Sequence, residues 1–297
     1  MVGEKIIEIL KKEYPRARRM VFMPYKAEMW DVMEGTYMAA LDNYEVIIAP
    51  AGYREKYDDL LHVDRFYGPK KPFSPDLKPD IIIYHYPYDN NNRITEILPK
   101  YQTERLKKTG AALVYIPYFG VGCDEHFANQ PGVKNADIVF AYDEANKELY
   151  ESIFPGKKVY AVGNPKEDSL RINALRGAMF RPTVESLLGG GITLLATSLM
   201  PFLREPFHKM DQYRLVMERE NKVIFRPHPL TIAGMEELHP IEFVDEWKKF
   251  LSNLPDNVIL DTEPMVEVTM ALCSKMVSDP GSLPALWQLT GKELEIL

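Results

Sequence analysis

The residues of this chain best suited to chemistry sit in two short stretches. In Val223-Ile-Phe-Arg-Pro-His-Pro-Leu230 and in Val277-Ser-Asp-Pro-Gly-Ser-Leu-Pro-Ala-Leu-Trp287, an apolar run breaks into a polar turn that contains proline, and in the second case also glycine. A strand ending in such a turn leaves its last side chains and the N–H groups of the turn at the edge of a sheet. In open α/β sheets that edge is where ligands bind. Arg226 offers a planar fork that suits phosphate, and His228 a proton carrier near neutral pH. Asp279, Pro280, Gly281 and Ser282 form a turn ahead of an apolar helix, a setting in which N–H groups can hold an anion. These types and settings predict a site that handles phosphate, on a nucleotide-activated donor.

Several other residues have two readings each. Asp279 either binds a hydroxyl of a ribose or polyol or caps the helix that follows, and Ser282 either meets phosphate or is an N-cap. Thr197 and Ser198, at the end of a predicted strand, either line the site or cap a helix. Lys26 follows the first strand and either draws an anionic acceptor or is simply exposed. His85 lies among Tyr84, Tyr86 and Tyr88, an aromatic surface for stacking or a partly buried cluster. Asp124-Glu-His126 are consecutive loop residues, which rarely converge on one ion, so no metal is expected. Met29, Met33 and Met38 read as helix core. Neither a Walker loop nor a Gly-x-Gly-x-x-Gly turn occurs, and no cofactor is predicted.

To position such edge residues the chain needs parallel strands alternating with helices, and its pattern supplies them. Strands are predicted over 19–24, 44–50, 80–84, 112–116, 136–141 and 158–162, with helices near 29–41, 94–108 and 144–153. Residues 52–79 read as a polar, proline-rich excursion. A helical connector over 166–190, ending in Gly189-Gly-Gly191, separates a first domain, 1–165, from a second, 191–297. There the alternation restarts, with strands over 192–196, 223–225, 258–261 and 275–277, helices over 207–220, 241–254 and 265–272, and a last helix from Leu283. The fold class predicted is α/β, with two Rossmann-like domains facing a cleft.

Composition agrees. A chain of 297 residues with 46% hydrophobic and 27% charged residues is an ordinary globular protein with room for two cores. A net charge of −7 argues against general nucleic-acid binding, and the two cysteines make neither a disulfide framework nor a zinc site. With no long apolar run and a charged start over Met1 to Met20, the expectation is a cytoplasmic protein.

Four segments carry a family resemblance: Phe22-Met-Pro-Tyr-Lys-Ala-Glu-Met-Trp-Asp31, Gly163-Asn-Pro-Lys-Glu-Asp168, Arg226-Pro-His-Pro229 and Ser278-Asp-Pro-Gly-Ser282. In order and spacing they resemble the CDP-glycerol glycerophosphotransferases of teichoic-acid synthesis, which have the two-domain fold called GT-B. The resemblance implies transfer of glycerol phosphate, or a similar polyol phosphate, from CDP-glycerol to a glycan or polyol-phosphate acceptor, with CMP leaving. Such enzymes often work at the inner face of the membrane, although no amphipathic anchor is evident here. Arg226 would pair with phosphate, Pro280, Gly281 and Ser282 would donate to it, and His228 would act as general acid. There are two departures. The family's His-Gly-Thr turn, whose histidine the resemblance gives a catalytic role, is replaced by Tyr118-Phe-Gly120, which leaves His126 of the same loop as the catalytic candidate. The second domain is expected to lack a further strand and helices. Two alternatives follow: a GT-B glycosyltransferase or nucleotide-sugar epimerase using a UDP-sugar, and a non-catalytic donor-binding relative.

Overall fold

The computed structural model describes residues 1–25, 29–51, 73–91, 97–118, 123–175, 190–263 and 265–297. Lys26, the stretch 52–72, Phe119 and Gly120, and the connector from 176 to Gly189 lie outside the described residues. The chain divides into two compact units, Met1–Ile172 and Asn173–Leu297. Helical residues 166–175 run across that division rather than following it, unlike the predicted boundaries at 165 and 191.

The first unit is built on six parallel strands: β1 (Arg19–Met23), β2 (Glu45–Ile48), β3 (Ile81–Tyr84), β4 (Ala112–Tyr115), β5 (Ile138–Ala141) and β6 (Lys158–Ala161), in the order β2-β1-β3-β4-β5-β6. All four residues of β3, Ile81-Ile-Ile-Tyr84, are buried, as are those of β5. That is the signature of parallel strands covered on both faces. The described residues of the predicted 94–108 helix form a 3-10 turn, Pro99–Tyr101, and a short helix, Thr103–Lys107. Met33 is core, as predicted, whereas Met38 is exposed.

Three helices of this unit were not anticipated: Glu125–Ala128, Pro131–Asn135 and the N-terminal one. Residues Val2–Glu13 form a helix that buries Val2, Ile6, Ile7 and Leu10 on one face. Its many charges mask that apolar spacing in the sequence. Asp168 holds its start, accepting from the Val2 N–H (3.1 Å) and the Gly3 N–H (2.7 Å). A side chain on Gly3 would meet the Gly35 backbone of the helix Asp31–Ala40 at 2.3 Å, and one on Gly35 would meet Asp168 at 2.4 Å. Three segments distant in sequence thus meet at two glycines and one carboxylate.

The second unit carries β7 (Thr193–Ala196), β8 (Val223–Arg226), β9 (Val258–Leu260), β10 (Lys275–Ser278) and β11 (Glu293–Ile296), all parallel, in the order β11-β10-β7-β8-β9. Its core stacks Phe202, Tyr213, Phe225, Trp247 and Phe250. Three elements differ from the sequence reading. Leu199–Arg204 and Thr231–Leu238 are helices, and the last residues, where no strand was expected, form β11 beside β10.

Each order reverses once. In the first sheet β2 and β3 flank β1, so the chain leaves β1 and β3 toward opposite sides. In the second, β8 and β10 flank β7, so it diverges after β7 and β10. In doubly wound sheets such switch points open the crevice that binds ligands.

Candidate functional site

The switch point of the second unit gathers most of the residues singled out by sequence. β7 runs into Thr197 and Ser198, and β10 into Asp279, Pro280, Gly281 and Ser282. The two turns are tied together by Asp279, which is fully buried. Its Oδ2 accepts from the Ser198 N–H (3.0 Å) and the Tyr213 hydroxyl (2.6 Å), and its Oδ1 lies 2.7 Å from Lys209 Nζ. Burial and this carboxylate push the Tyr213 hydroxyl well above its ordinary range. Asp279 does not cap the next helix; fully buried, it ties protein groups to one another. It is a clamp. Gly281 is extended, and a Cβ there would come within 2.5 Å of Ser198 Oγ, so the two turns touch.

Above the clamp, Pro280, Gly281 and Ser282 are exposed. The helix Ser282–Gln288 is N-capped by Gly281, so Ser282 is its first residue rather than its cap. Ser198 occupies the N-cap position of the helix Leu199–Arg204 but makes no side-chain capping bond. Thr197 does not cap either; its hydroxyl accepts from the His228 N–H at 2.8 Å.

That bond joins the switch point to the turn after β8. His228 is half-buried, and its Nδ1 accepts from the Leu230 N–H at 3.2 Å. With Nδ1 serving as acceptor, the neutral ring carries its proton on Nε2. The His228 carbonyl accepts from the Thr231 N–H (2.9 Å) and hydroxyl (2.7 Å), which starts the helix Thr231–Leu238. Arg226 is buried. Its Nη1 is committed to Asp261 Oδ2 (2.7 Å) and the Glu263 carbonyl (2.5 Å), with Thr269 donating to the same carboxylate at 2.8 Å. The fork read from sequence as a phosphate clamp therefore fixes the β9 turn against β8. Sequence reasoning missed Lys209, Tyr213 and Asp261, all of them held by long-range pairing.

The first unit holds the remaining candidates. His85 follows β3 and is fully buried within an aromatic cluster with Tyr25, Tyr86 and Tyr118; its Nε2 accepts from the Tyr25 N–H at 2.9 Å. Burial, and then the charge of Lys166, push its pKa down to about 3. His126 is exposed on the short helix Glu125–Ala128, which Asp124 caps through the Phe127 N–H at 2.9 Å. Asp124, Glu125 and His126 do not converge, and no group of three potential metal ligands occurs among the described residues. Cys123 and Cys273 are both free thiols. No helix among the described residues is long and apolar enough to cross a membrane.

No family model matches the chain, and no curated protein matches it. Solved structures do. The UDP-N-acetylglucosamine 2-epimerase of Rickettsia bellii superposes with a TM-score of 0.59 at 13% identity, covering 94% of this chain and 78% of that one. The UDP-GlcNAc 2-epimerase of Neisseria meningitidis, bound to UDP-GlcNAc, gives 0.56 at 13% identity, with 94% and 82% covered. Anabaena Alr3699/HepE, in complex with UDP and glucose, gives 0.51 at 11% identity, with 93% and 80% covered. At such identities the likeness shows the fold: two Rossmann-like units in tandem, the GT-B type expected from sequence. By description two of these neighbours are UDP-GlcNAc 2-epimerases and the third is in complex with UDP and glucose; none of the three is a CDP-glycerol transferase.

Proposed function

We propose that this chain is a nucleotide-sugar enzyme of the GT-B type, and that it binds the diphosphate of a UDP-linked sugar at the β7–β10 switch point. The observation that carries this reading is the exposed turn Pro280–Ser282, held rigid from beneath by Asp279 where the strand order reverses. Of the three named fold neighbours two are UDP-GlcNAc 2-epimerases by description and the third is in complex with UDP and glucose, which favours uridine over cytidine. In this reading the N–H groups of the turn and the Ser282 hydroxyl meet phosphate oxygens. His228 donates an Nε2–H hydrogen bond to the diphosphate, which leaves with the electron pair of its bond to the sugar as an acceptor hydroxyl bonds to the anomeric carbon and gives up its proton. A positioned histidine in that role contributes about 10²–10⁴-fold. Arg226 and Thr197 are positioning residues that hold the His228 turn.

A second reading is kept for one observation, the Arg226-Pro-His-Pro229 turn, which resembles that of the CDP-glycerol glycerophosphotransferases. There the acceptor hydroxyl attacks the glycerol-bearing phosphorus and CMP leaves. In that second reading Lys26 and His126, both of the first unit, are the residues left for the acceptor, whereas His85 is buried.

Calorimetric titration decides between the two. UDP-GlcNAc and UDP-glucose are expected to bind, CDP-glycerol to bind much more weakly, and His228→Ala to lower turnover about 10²–10⁴-fold while retaining UDP affinity within about tenfold. Selective binding of CDP-glycerol would transfer the argument to the second reading, and binding of none of the three would sink both.

A further inference from the structure

A wide groove lies at the edge of the first sheet opposite its switch point, and nothing above uses it. Asp80, Ala111, Asp137 and Lys157 directly precede β3, β4, β5 and β6, which are neighbours in the sheet. All four line the groove, which therefore runs across the entry ends of four parallel strands. Its volume is about 840 Å³, within the roughly 300–1,000 Å³ of sites that take a small molecule. Every lining residue belongs to the first unit.

Charge sets this groove apart. Lys107, Lys134, Lys157 and Lys158 line it against two carboxylates, Asp80 and Asp137, in a protein whose net charge is −7. Both carboxylates are engaged by backbone. Asp80 Oδ2 accepts from the Arg18 and Arg19 N–H groups at 2.8 Å each, and Asp137 Oδ2 from that of Leu113 at 2.8 Å. Lys158 pairs with Glu13. Lys107 and Lys134 are exposed and meet no carboxylate among the described residues. Lys157 is half-buried, and its ammonium donates to the carbonyls of Lys134 (3.0 Å) and Ala136 (2.6 Å), with the Phe154 ring centre 5.3 Å away. One of its three N–H groups is left over. Burial, and then the charge of Lys107, push its pKa down. The fold thus fixes one ammonium in the wall of the groove and sets a second where the two repel. An anion between them lifts that repulsion, and phosphate oxygens are strong acceptors for ammonium groups.

We propose that this groove is an anion site of the first unit, and that it takes a compact polyphosphate whose oxygens bridge the ammoniums of Lys107, Lys134 and Lys157. Three ammoniums from three segments call for several charged oxygens, which a single carboxylate lacks and a di- or triphosphate has. The ligand enters the groove; the flat surface of a bilayer would meet Lys107 and Lys134 at the rim but not Lys157. Bound there, it ties together the segments that lead into β4, β5 and β6. The inference goes beyond the proposed function and does not rest on it.

The test titrates inorganic tripolyphosphate into the full chain and follows hydrogen exchange. Saturable binding is expected, with exchange slowed in residues 105–112, 132–138 and 154–158. Protection confined to residues 197–198 and 280–284 would put the anion on the turn of the second unit and overturn the proposal, while leaving the proposed function untouched. So would an absence of binding. Replacing both exposed lysines, Lys107→Gln with Lys134→Gln, should weaken binding at this groove about tenfold or more. Removing the same two charges elsewhere, Lys5→Gln with Lys248→Gln, should leave it within about twofold. Equal losses in the two doubles would mean a general attraction to positive charge, which also overturns the proposal. Vesicles of phosphatidylcholine with an anionic phospholipid test the lipid source of phosphate. They are expected not to co-sediment the protein. Co-sedimentation that is lost in the Lys107/Lys134 double would assign these lysines to a membrane surface instead.

Discussion

Asp279 and His228 lie at the same sheet edge, yet their substitutions should behave oppositely. Removing the Asp279 carboxylate leaves the Lys209 ammonium buried without its partner and strips the Ser198 N–H and Tyr213 hydroxyl of their acceptor. Breaking a buried pair in this way costs about 3–5 kcal/mol. Asp279→Ala should therefore lower the urea midpoint sharply, whereas His228→Ala, which gives up the bond from the Leu230 N–H at a half-buried position, should cost far less, about 1 kcal/mol for that bond. Equal losses would refute the division into clamp and chemistry. The contrast also shows what the sequence could reveal. The Arg-Pro-His-Pro turn announces itself through consecutive residues, so His228 is legible. The meaning of Asp279 depends on Tyr213, 66 residues away, and no local pattern links the two. The pairing of Arg226 was hidden for the same reason, because the Asp261 that engages its Nη1 lies 35 residues on.

Among the elements, the junction of the helices Val2–Glu13 and Asp31–Ala40 is the most exacting. Gly35→Ala would drive a methyl to 2.4 Å from the Asp168 side chain, which then cannot keep its bonds to the first turn of the N-terminal helix. Overpacking of this kind costs about 1–3 kcal/mol, and losing a cap about 1 kcal/mol more. Thermal melting of Gly35→Ala should show that loss, and hydrogen exchange should localise it to residues 2–13. An unchanged melting curve would mean that the junction is looser than its geometry. Strands were the most legible elements, because an all-apolar run such as Ile81-Ile-Ile-Tyr84 has one reading in a parallel sheet. The N-terminal helix was not, since charges outnumber its four-residue apolar stripe. β11 was missed because Glu293-Leu-Glu-Ile296 alternates like an edge strand, a pattern masked by its closeness to the end of the sequence.

For the whole molecule the two units should answer acid differently. His85 has a folded pKa of about 3 against an ordinary value near 6.5. As pH falls below about 6.5 the unfolded chain takes up a proton that the folded ring refuses, so stability drops, by at most about 1.4 kcal/mol per pH unit, until about pH 3. The carboxylates of the second unit held low by hydrogen-bonded cations, Glu220 by Lys275 and Glu295 by Arg219, lose their contribution only once pH falls below the ordinary carboxylate range, near 4.3. Between pH 6.5 and 4.5 the first unit should therefore soften while the second holds. Hydrogen exchange followed across that window should show faster opening in residues 1–172, and His85→Phe should flatten the trend. Uniform softening of both units, or an unchanged slope in the variant, would contradict it. The second unit carries a different consequence. Its switch-point turns are fixed from below by a buried carboxylate, while Pro280 and Ser282 face outward and hold nothing together. Scaffold and contact surface are thus separate sets of residues. A combinatorial library at positions 280 and 282 can be screened for new donor preferences with folding largely insulated from the choice, which makes this turn the natural starting point for redirecting the protein.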